Sequence, residues 1–510
     1  MVQAEGGYLP CMLVDEKAKY AALKARDRRF DGVFFVGVLS TGIYCRPVCT
    51  AKTPGRAQCR FFASAAGAER EGFRPCLKCR PELAPGLDPA LAPGVAPIDG
   101  SARAARAAAR MIERGALDGG SVAGLAAEMG LSDRHLRRLV QTWCGATPVE
   151  LAQTRRLLLA KQLLTETRMP IGEVARASGF LSVRRFNHLF LERYRMAPTR
   201  FRARAEPGDG KATELCLAYR PPLAWEAMLE FLAGRAISGV EEVREETYAR
   251  TVAVGTRVGC VRVRRDERGP MLRVSMDETL LPVAGEILAR LREMFDLDAR
   301  PDVIAEHLLS STDACEALRT SVREMPGLRV PGCFEKFELL WRCVVGQQVS
   351  VKAASTIAGR LAERFGEKLE GEGLTRLTPT AEGMARSRPG EIEALGVPAA
   401  RAGAVRAIAR FVAEGGLCRG VLLDPAEGIR RLRELPGIGP WTASYAAMRA
   451  LRWPDAFPAG DLVLRKAAGN VGERELEAMS AAWRPWRAYA AMHLWRAAAR
   501  KRRTGDVAAA

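Results

Sequence analysis

Histidine is scarce in this sequence, with four residues among 510: His135, His188, His307 and His493. Their wide separation argues against a metal site or a general base built from histidine. The sequence also lacks a hydrophobic run long enough to span a membrane. Residues 1–30 lack the apolar core of a secretory signal. We therefore expect a soluble, cytoplasmic protein whose thirteen cysteines are reduced thiols or metal ligands.

The overall composition, with 48% hydrophobic and 27% charged residues, is typical of a globular protein. The length corresponds to roughly three to four domains. A net charge of +19 and a pI near 9.7 indicate a polyanionic partner. Arginine carries most of this charge, and its planar guanidinium binds phosphate as a fork. An alternative explanation is that an Arg- and Ala-rich chain reflects a GC-rich genome.

The first 85 residues contain two closely spaced cysteine pairs. Residues 34–44 read as a strand, a Thr-Gly turn and a second strand, which lead into Cys45-x3-Cys49. Cys76-x2-Cys79 follows after a polar loop. Four thiolates are enough for a closed tetrahedral Zn²⁺ site, although buried core cysteines remain an alternative. Cys11 and Cys59 lack ligand spacing, and we interpret both as structural.

Both pairs lie in a recognisable context. TGIYCRPVC at 41–49 and GFRPCLKC at 72–79 resemble the N-terminal domain of the Ada methyl-phosphotriester repair and regulatory protein. The resemblance implies one Zn²⁺ held by Cys45, Cys49, Cys76 and Cys79, with Cys45 also the methyl acceptor. A zinc-bound thiolate stays deprotonated at neutral pH and so needs no separate base. Methylation would remove one of two net negative charges, and we hypothesise that it tightens DNA binding.

A Pro/Gly-rich linker precedes a repeat of about fifty residues. Gly130 matches Gly179 in this repeat, and Pro148 matches Pro198. Each copy reads as helix, glycine turn and second helix. The predicted helices are Val122–Met129 and Ser132–Trp143, then Ile171–Ala177 and Ser182–Tyr194, joined by Glu150–Thr165.

This arrangement resembles the paired helix-turn-helix units of the AraC-type DNA-binding domain. In the second copy Phe186 is expected in the core, whereas Arg184, Arg185 and Asn187 are free to reach DNA. The alternative is a plain helical bundle with a solvated basic face.

After a second linker at 206–210, alternating segments predict a small antiparallel sheet with helices on one side. It resembles the N-terminal subdomain of AlkA-type enzymes, and we assign it no chemistry. The predicted strands are Thr213–Ala218, Thr247–Val254, Gly259–Val263 and Met271–Ser275, with a helix at Trp225–Ala233. From Leu281 onwards the pattern is almost entirely helical.

The segment LPGIGP at 435–440 is a tight turn between helices, because Gly437 and Gly439 permit a close approach of the backbone. Amide groups at the start of the second helix favour a phosphate. Helix, hairpin, helix and then the isolated Asp461 resemble the helix-hairpin-helix DNA glycosylases, and the AlkA-type alkylbase glycosylases in particular. The alternative is an ordinary turn, with Asp461 the N-cap of a helix at Leu462–Ala468.

That resemblance implies that Asp461 is the catalytic aspartate. A fixed carboxylate stabilises the positive charge that develops on the sugar as a base leaves. Trp441, Tyr445 and Trp495 match aromatic base-pocket positions of the family, and the alternative for each is a core aromatic of a helical domain. The resemblance also implies that Gln348, within GQQVS, fills the gap left by the extruded base, although the best-known member of the family has leucine at that position.

Two sequence features narrow the chemistry further. Bifunctional members of the superfamily carry a lysine just after the hairpin, where this chain has Trp441, so we predict a glycosylase without lyase activity. Cys333, Cys343 and Cys418 lack the spacing of an iron–sulfur site.

The predicted fold class is multidomain and mostly α. The predicted domains are a zinc-binding α/β domain at 1–85, a linker at 86–100, an all-α double helix-turn-helix domain at 101–205, an α+β subdomain at 211–285 and an all-α helix-hairpin-helix glycosylase domain at 286–505. The alkylguanine transferase domain of Ada is absent, since no Pro-Cys-His-Arg motif occurs.

We predict a regulator of the response to DNA alkylation that also excises alkylated purines such as 3-methyladenine. Expected partners are damaged and operator double-stranded DNA and RNA polymerase, with no membrane, and the protein is expected to be a nucleoid-associated monomer. One alternative is a transcription activator whose glycosylase half only binds DNA. Another is a glycosylase whose front half is a tether that does not sense damage.

Overall fold

A computed structural model describes residues 15–86, 100–204, 214–311, 315–370, 373–416 and 425–508. Most of the first predicted linker, all of the second, Cys11 and Cys418 lie outside these ranges. Among the described residues, no helix combines the length and the apolar character needed to cross a bilayer.

The strands are β1 (Phe35–Val38), β2 (Ile43–Cys45), β3 (Cys59–Phe62), β4 (Arg74–Pro75), β5 (Glu214–Ala218), β6 (Glu241–Arg244), β7 (Thr247–Val254), β8 (Arg257–Arg265) and β9 (Met271–Met276). The helices of the first half are α1 (Glu16–Ala25), α2 (Ala65–Arg70), α3 (Gly100–Glu113), α4 (Val122–Glu128), α5 (Asp133–Cys144), α6 (Pro148–Glu166), α7 (Ile171–Ala177), α8 (Val183–Tyr194) and α9 (Pro198–Arg204). Those of the second half are α10 (Trp225–Ala233), α11 (Ala284–Met294), α12 (Pro301–Ser310), α13 (Glu316–Glu324), α14 (Lys336–Val345), α15 (Val351–Phe365), α16 (Ala381–Ala385), α17 (Ala399–Ala413), α18 (Pro425–Arg433), α19 (Pro440–Arg449), α20 (Leu462–Ala467), α21 (Glu473–Ser480) and α22 (Arg487–Ala508).

The chain forms two compact units. The first contains the residues up to Arg220 together with 269–289 and 297–299, and the second contains 221–268, 290–296 and the residues from Arg300 onwards. The predicted fold class is confirmed, because a small sheet-containing module and a helical pair of repeats precede a mainly helical C-terminal half.

In the first unit, β1 to β4 form a sheet in the order β3-β1-β2-β4. β1 is antiparallel to both β2 and β3, whereas β2 and β4 are parallel, with Tyr44 opposite Pro75. Phe34, Val36 and Tyr44 are almost fully buried around this sheet. Since parallel neighbours run in the same direction, the segments that follow β2 and β4 leave the sheet at the same edge.

The two helix-turn-helix copies are α4–α5 and α7–α8, joined by α6. The matched glycines occupy the left-handed region, with φ of 69° at Gly130 and 91° at Gly179. Glycine reaches this conformation without strain, so it ends the first helix of each copy sharply. The matched prolines, Pro148 and Pro198, are each the first residue of the following helix.

Serine caps fix where the second helix of each copy begins. Ser132 accepts a hydrogen bond from the His135 amide, and Ser182 accepts one from the Arg185 amide. Phe186 and Phe190 are fully buried, with ring centroids 5.5 Å apart, as the sequence predicted for Phe186. The sides of α8 that carry the polar residues are therefore left facing solvent.

In the second unit, β6, β7 and β8 form an antiparallel meander, with Tyr248 opposite both Val243 and Val263. The strand β6 was not predicted from the sequence. A cluster of buried side chains from α14, α15, α17 and α19 forms the helical core, with Trp341 and Val405 fully buried. This core supports the hairpin between α18 and α19 and the first residues of α15.

Candidate metal centre and active-site cavity

The four predicted zinc ligands come together in the first unit. Cys45 ends β2 and Cys76 follows β4, and the Cys76 amide donates to the Tyr44 carbonyl over 3.0 Å. The parallel pairing of β2 and β4 therefore places Cys45 and Cys76 at one edge of the sheet. Cys49 and Cys79 complete a group whose four sulfur atoms lie within 4.8 Å of one another.

This donor set fits zinc. Tetrahedral Zn²⁺ with Zn–S distances of about 2.3 Å requires four sulfurs about 3.8 Å apart. Cys45, Cys49 and Cys76 are buried, and Cys79 is partly exposed. Cys59 lies outside the group, and its thiol donates to the Gly55 carbonyl.

Arg46 holds the loop that carries Cys45 and Cys49. Its backbone N–H lies 3.3 Å from Cys79 Sγ, and its guanidinium donates to the Cys79 carbonyl over 3.1 Å. The same guanidinium forms a buried ion pair with Asp31. Charge-assisted hydrogen bonds of this kind are strong and have a specific geometry. They therefore connect the two cysteine-bearing segments independently of the metal.

The predicted DNA-reading residues lie on the exposed side of α8. Arg184, Arg185 and Asn187 are all exposed, and they belong to the first turns of this helix. Their neighbours Phe186 and Leu189 are buried. The start of α8 therefore presents two guanidinium groups and an amide to solvent.

The second unit contains a cavity of about 1420 Å³ that opens beside the hairpin. Gly437 and Gly439 line it, as do Asp461 and all three predicted pocket aromatics. The φ of Gly437 is 75°, and a Cβ at this residue would approach the Ala404 Cβ to 2.6 Å. Both the backbone conformation and the packing against α17 therefore require glycine here.

Gly439 is the N-cap of α19 and Pro440 is its first residue, so the free amides of the first turn point out of the hairpin. The amide of Gln347 donates to the Gly437 carbonyl over 2.7 Å and to Thr442 Oγ1 over 3.0 Å. It thus fastens the loop between α14 and α15 to the hairpin. The next residue, Gln348, is exposed and has a φ of 55°.

Asp461 is both the N-cap of α20 and part of the cavity wall. Its Oδ1 accepts from the amides of Val463 and Leu464, each over 2.9 Å. The indole N–H of Trp495 lies 3.2 Å from Oδ1, and that of Trp441 lies 2.9 Å from Oδ2. Helix capping, which the sequence left open as an alternative, is therefore combined with a position in the cavity. Four N–H donors hold this carboxylate in one orientation.

The three predicted aromatic residues form adjoining walls. The Trp441 and Tyr445 rings are nearly parallel, at 8° with centroids 5.2 Å apart. Trp495 meets Tyr445 at 64°, with centroids 6.0 Å apart. All three are only partly buried, so they retain open surface in the cavity, unlike the buried core aromatics of this unit.

Sequence reasoning missed several cavity residues. α10 contributes Phe231, although the α+β segment received no chemistry. The Arg235 guanidinium lies 3.8 Å from the Phe231 ring centroid, and that of Arg449 lies 4.9 Å from it. Arg449 also donates to the Tyr445 hydroxyl over 2.9 Å and to the Pro331 carbonyl over 2.7 Å. The amphipathic pattern of α10 does not distinguish a face on a cavity from a face in solvent.

Four family models match most of the chain. The metal binding domain of Ada matches residues 18–82, a helix-turn-helix domain 125–204, the AlkA N-terminal domain 214–335, and the HhH-GPD superfamily of base excision DNA repair proteins 341–487.

Two named relatives are similar to all or part of this chain. The chain is 40% identical over 489 residues to a probable bifunctional transcriptional activator/DNA repair enzyme AlkA of Mycobacterium tuberculosis, covering 93% of this chain and 95% of the relative. It is 35% identical over 279 residues to DNA-3-methyladenine glycosylase 2 of Escherichia coli, covering 55% of this chain and 95% of the relative. A solved 3-methyladenine DNA glycosylase from Archaeoglobus fulgidus covers 55% of this chain and 96% of its own, with a TM-score of 0.48 and 19% identity.

Proposed function

The chain belongs to the family of bifunctional transcriptional activator/DNA repair enzymes of the AlkA type, and from this premise we propose that it combines three activities. It removes alkylated purines such as 3-methyladenine from double-stranded DNA, takes a methyl group from DNA phosphotriesters, and binds DNA sequence-specifically as a regulator. The observation that carries the first activity is Asp461, held by two indole N–H groups inside an aromatic cavity beside the hairpin.

Excision begins with a base rotated out of the duplex into the cavity. Trp441, Tyr445 and Trp495 offer faces and edges against which a purine stacks, and an alkylated purine that carries positive charge gains cation–π attraction. Phe231 extends this aromatic surface from α10. A cationic base is already a good leaving group, so the site needs no strong general acid.

Asp461 then acts on the sugar. As the C–N glycosidic bond breaks, the base takes the bonding electrons and positive charge develops on the ring oxygen and C1′. The negative charge of Asp461 stabilises this state and orients the water that adds to C1′, and the proton of that water passes to solvent. Because four donors already fix the carboxylate, little reorganisation is needed at the moment of reaction.

The hairpin and its neighbouring loop hold the DNA. The amides after Gly437 and Gly439 bind a backbone phosphate at the start of α19. Gln348, exposed on the loop that Gln347 fastens to the hairpin, fills the gap left in the stack. Trp441 occupies the position after the hairpin where a lyase would need a lysine, so the product is an abasic site with an unbroken strand.

Methyl transfer takes place at the thiolate cluster. Cys45, Cys49, Cys76 and Cys79 hold one Zn²⁺, which when bound keeps their thiols deprotonated. Cys45 Sγ attacks the methyl carbon of a phosphotriester, a C–S bond forms, and the C–O bond breaks. The oxygen keeps the electron pair, and the DNA returns to an ordinary phosphodiester. Each molecule performs this step once.

DNA binding by the regulator depends on the charge of the thiolate cluster and on the exposed residues of α8. The methylated cluster carries less negative charge and is repelled less by phosphates, so DNA binding tightens. Arg184, Arg185 and Asn187 contact DNA from the exposed start of α8. We further propose that the DNA-bound activator contacts RNA polymerase. The protein is a monomer and acts on the nucleoid in the cytoplasm.

The deciding experiment incubates the purified protein with a duplex that contains 3-methyladenine and measures abasic sites, beside an Asp461→Asn variant. Wild-type protein should release the base, and the variant should lose most of this activity. If the wild-type protein forms no abasic sites, the second half only binds DNA and the protein is a transcription activator alone. If the variant is as active as the wild type, another residue carries the chemistry.

A further inference from the structure

Two buried carboxylates connect the module that holds Cys45, Cys49, Cys76 and Cys79 with the paired helix-turn-helix domain inside the first unit. They are Glu69 at the end of α2 and Glu82, three residues after Cys79. Glu69 is 3% exposed, and the side chain of Glu82 is 1% exposed. Buried carboxylates are stable only when partners surround them, so the identity of those partners is informative.

The partners of Glu69 come from three elements. Its Oε1 accepts from the Tyr44 hydroxyl over 3.0 Å, and its Oε2 accepts from the Thr154 hydroxyl of α6 over 2.6 Å. Arg193 of α8 donates to the Glu69 carbonyl over 2.7 Å, and its Nε lies 3.5 Å from Oε2. Tyr44 directly precedes Cys45, whereas Arg193 belongs to the helix that carries the predicted DNA contacts. One carboxylate therefore bridges the methyl acceptor strand and the recognition helix.

Glu82 provides a second bridge. Lys161 of α6, whose side chain is 1% exposed, forms an ion pair with Glu82 and also donates to the Cys76 carbonyl over 3.3 Å. Arg80 donates to Glu82 over 2.9 Å and to Glu166 at the end of α6 over 2.6 Å. The backbone of a zinc ligand is thus bonded directly to α6, the helix that joins the two repeats.

These bonds restrict movement of the cysteine-bearing module relative to α6 and α8. Removing one partner of a buried charge leaves the other unsatisfied, which is strongly unfavourable, so the partners move together or not at all. A displacement of the Cys45 or Cys76 backbone is therefore transmitted to α6 and α8. Direct electrostatic action of the cluster on distant phosphates, by contrast, is screened over about 8 Å at physiological salt.

We propose that Thr154, Lys161 and Arg193 are positioning residues that couple the state of the Cys45 thiolate to the DNA-reading helix α8 through Glu69 and Glu82. The coupling rests on the proposed methyl transfer to Cys45, and it adds a contact-based component to the effect of charge. The two components differ in their salt dependence. The gain in DNA affinity from charge shrinks as salt rises, whereas the gain from contacts persists.

The test uses the full-length zinc-loaded protein and two DNAs. A duplex with methylphosphotriesters methylates Cys45, which is followed by the mass of the Cys45 peptide. Affinity is then measured on a second duplex, selected from a randomised pool by the methylated wild-type protein, at low and high salt. Lys161→Met and Thr154→Val remove the bonds, Lys161→Arg keeps a cation, and Thr199→Val changes an exposed threonine of α9 outside the network.

We expect methylation to tighten binding by the wild-type protein and by Thr199→Val at both salt concentrations. In Thr154→Val and Lys161→Met the gain at high salt should fall by at least about fivefold, while methyl transfer continues. Lys161→Arg should recover most of the gain. Hydrogen exchange of the α8 amides should respond to methylation in the wild type and no longer do so in the two variants.

The outcomes separate the two proposals. A wild-type protein that takes no methyl group overturns the proposed methyl transfer, and the coupling with it. If wild-type protein is methylated and both variants keep the full gain at high salt, the coupling alone is overturned. Thr154→Val keeps the shape of the side chain and leaves every charge paired, so it decides the question if Lys161→Met does not fold.

Discussion

The thiolate cluster and the Asp461 cavity are built in different ways. The cluster takes its four ligands from the ends of two adjacent strands, within 35 residues of sequence from Cys45 to Cys79. The cavity draws its walls from α10, α14, α15, the hairpin, α19, α20 and α22, and its lining residues lie between positions 227 and 500. The cluster therefore needs only local sheet pairing, whereas the cavity needs the whole second unit to be folded.

This difference corresponds to a difference in chemistry. A thiolate that accepts a methyl group is used once, so its site requires only a reactive sulfur that DNA can reach. A carboxylate that stabilises a charged state many times must keep its geometry, and the second unit surrounds Asp461 with two tryptophans and two backbone amides. We expect the two sites to respond independently to substitution.

The sharpest test of this independence is Cys45→Ser. Methyl acceptance should be abolished, because serine is neither a thiolate nucleophile nor a good zinc ligand. Excision of 3-methyladenine should stay within about twofold of wild type, since Cys45 and Asp461 belong to different compact units and share no hydrogen-bond partner. Mass spectrometry of the protein and an abasic-site assay measure the two activities on one preparation. A parallel loss of excision would show that the sites depend on each other.

The orientation of Asp461 is tested next by Trp495→Phe, which keeps an aromatic ring but removes the N–H that lies 3.2 Å from Oδ1. Loss of a hydrogen bond to a charged group should lower kcat on the order of tenfold, with little change in KM. Tyr445→Phe is the matched control, because the Tyr445 hydroxyl bonds Arg449 and not Asp461. Equal losses in the two variants would mean that the loss in Trp495→Phe does not come from its hydrogen bond to Asp461.

The two sites also differ in how far the sequence predicts them. The cysteine spacing predicted all four members of the cluster, because ligands on short loops must be close in sequence. The turn chemistry of Gly437 and the position of Asp461 after the hairpin likewise predicted where these residues lie in the second unit. The roles of Cys45 and Asp461 stay predictions until they are tested in solution.

What the sequence did not predict depends on packing between distant segments. Phe231 and Arg449 are more than 200 residues apart, yet the Arg449 guanidinium lies 4.9 Å from the Phe231 ring centroid. No periodicity in either helix indicates that contact. In the first unit, the burial of Lys161 between Glu82 and the Cys76 carbonyl runs against the usual exposure of lysine. Only the docking of α6 on the zinc module explains it.

A smaller effect is expected for Gln347→Leu. This change removes the bonds to the Gly437 carbonyl and Thr442, so the loop that carries Gln348 is no longer fastened to the hairpin. KM for damaged duplex should rise about fivefold to tenfold, in line with about 1 kcal/mol for a neutral hydrogen bond, while kcat changes little. Gln347→Glu keeps the shape but cannot donate, and its added negative charge faces the Gly437 carbonyl and repels phosphates, so KM should rise further than in Gln347→Leu. An unchanged KM would show that the hairpin holds DNA without this loop.

A further prediction concerns stability instead of activity and is confined to the second unit. Burial, with a further contribution from Arg496, lowers the pKa of His493 to about 3 from an ordinary value near 6.5. Between these values the unfolded chain binds a proton that the folded chain does not, so acid reduces the free energy of unfolding. The slope from this group is at most about 1.4 kcal/mol per pH unit below about pH 6.5.

His493→Gln should remove that slope while sparing most of the thiolate-cluster activity. Urea unfolding at pH 7 and pH 5 measures it through tryptophan fluorescence, since seven of the eight tryptophans lie in the second unit. The slope is the informative quantity, because the substitution also alters the 3.0 Å contact between Ser321 Oγ and His493 Nδ1 and so changes stability at pH 7. His188→Gln, at an exposed position on α8 in the other unit, is the control. If the pH dependence of the free energy of unfolding persists in His493→Gln and disappears in His188→Gln, the histidine responsible lies in the first unit and not in the second.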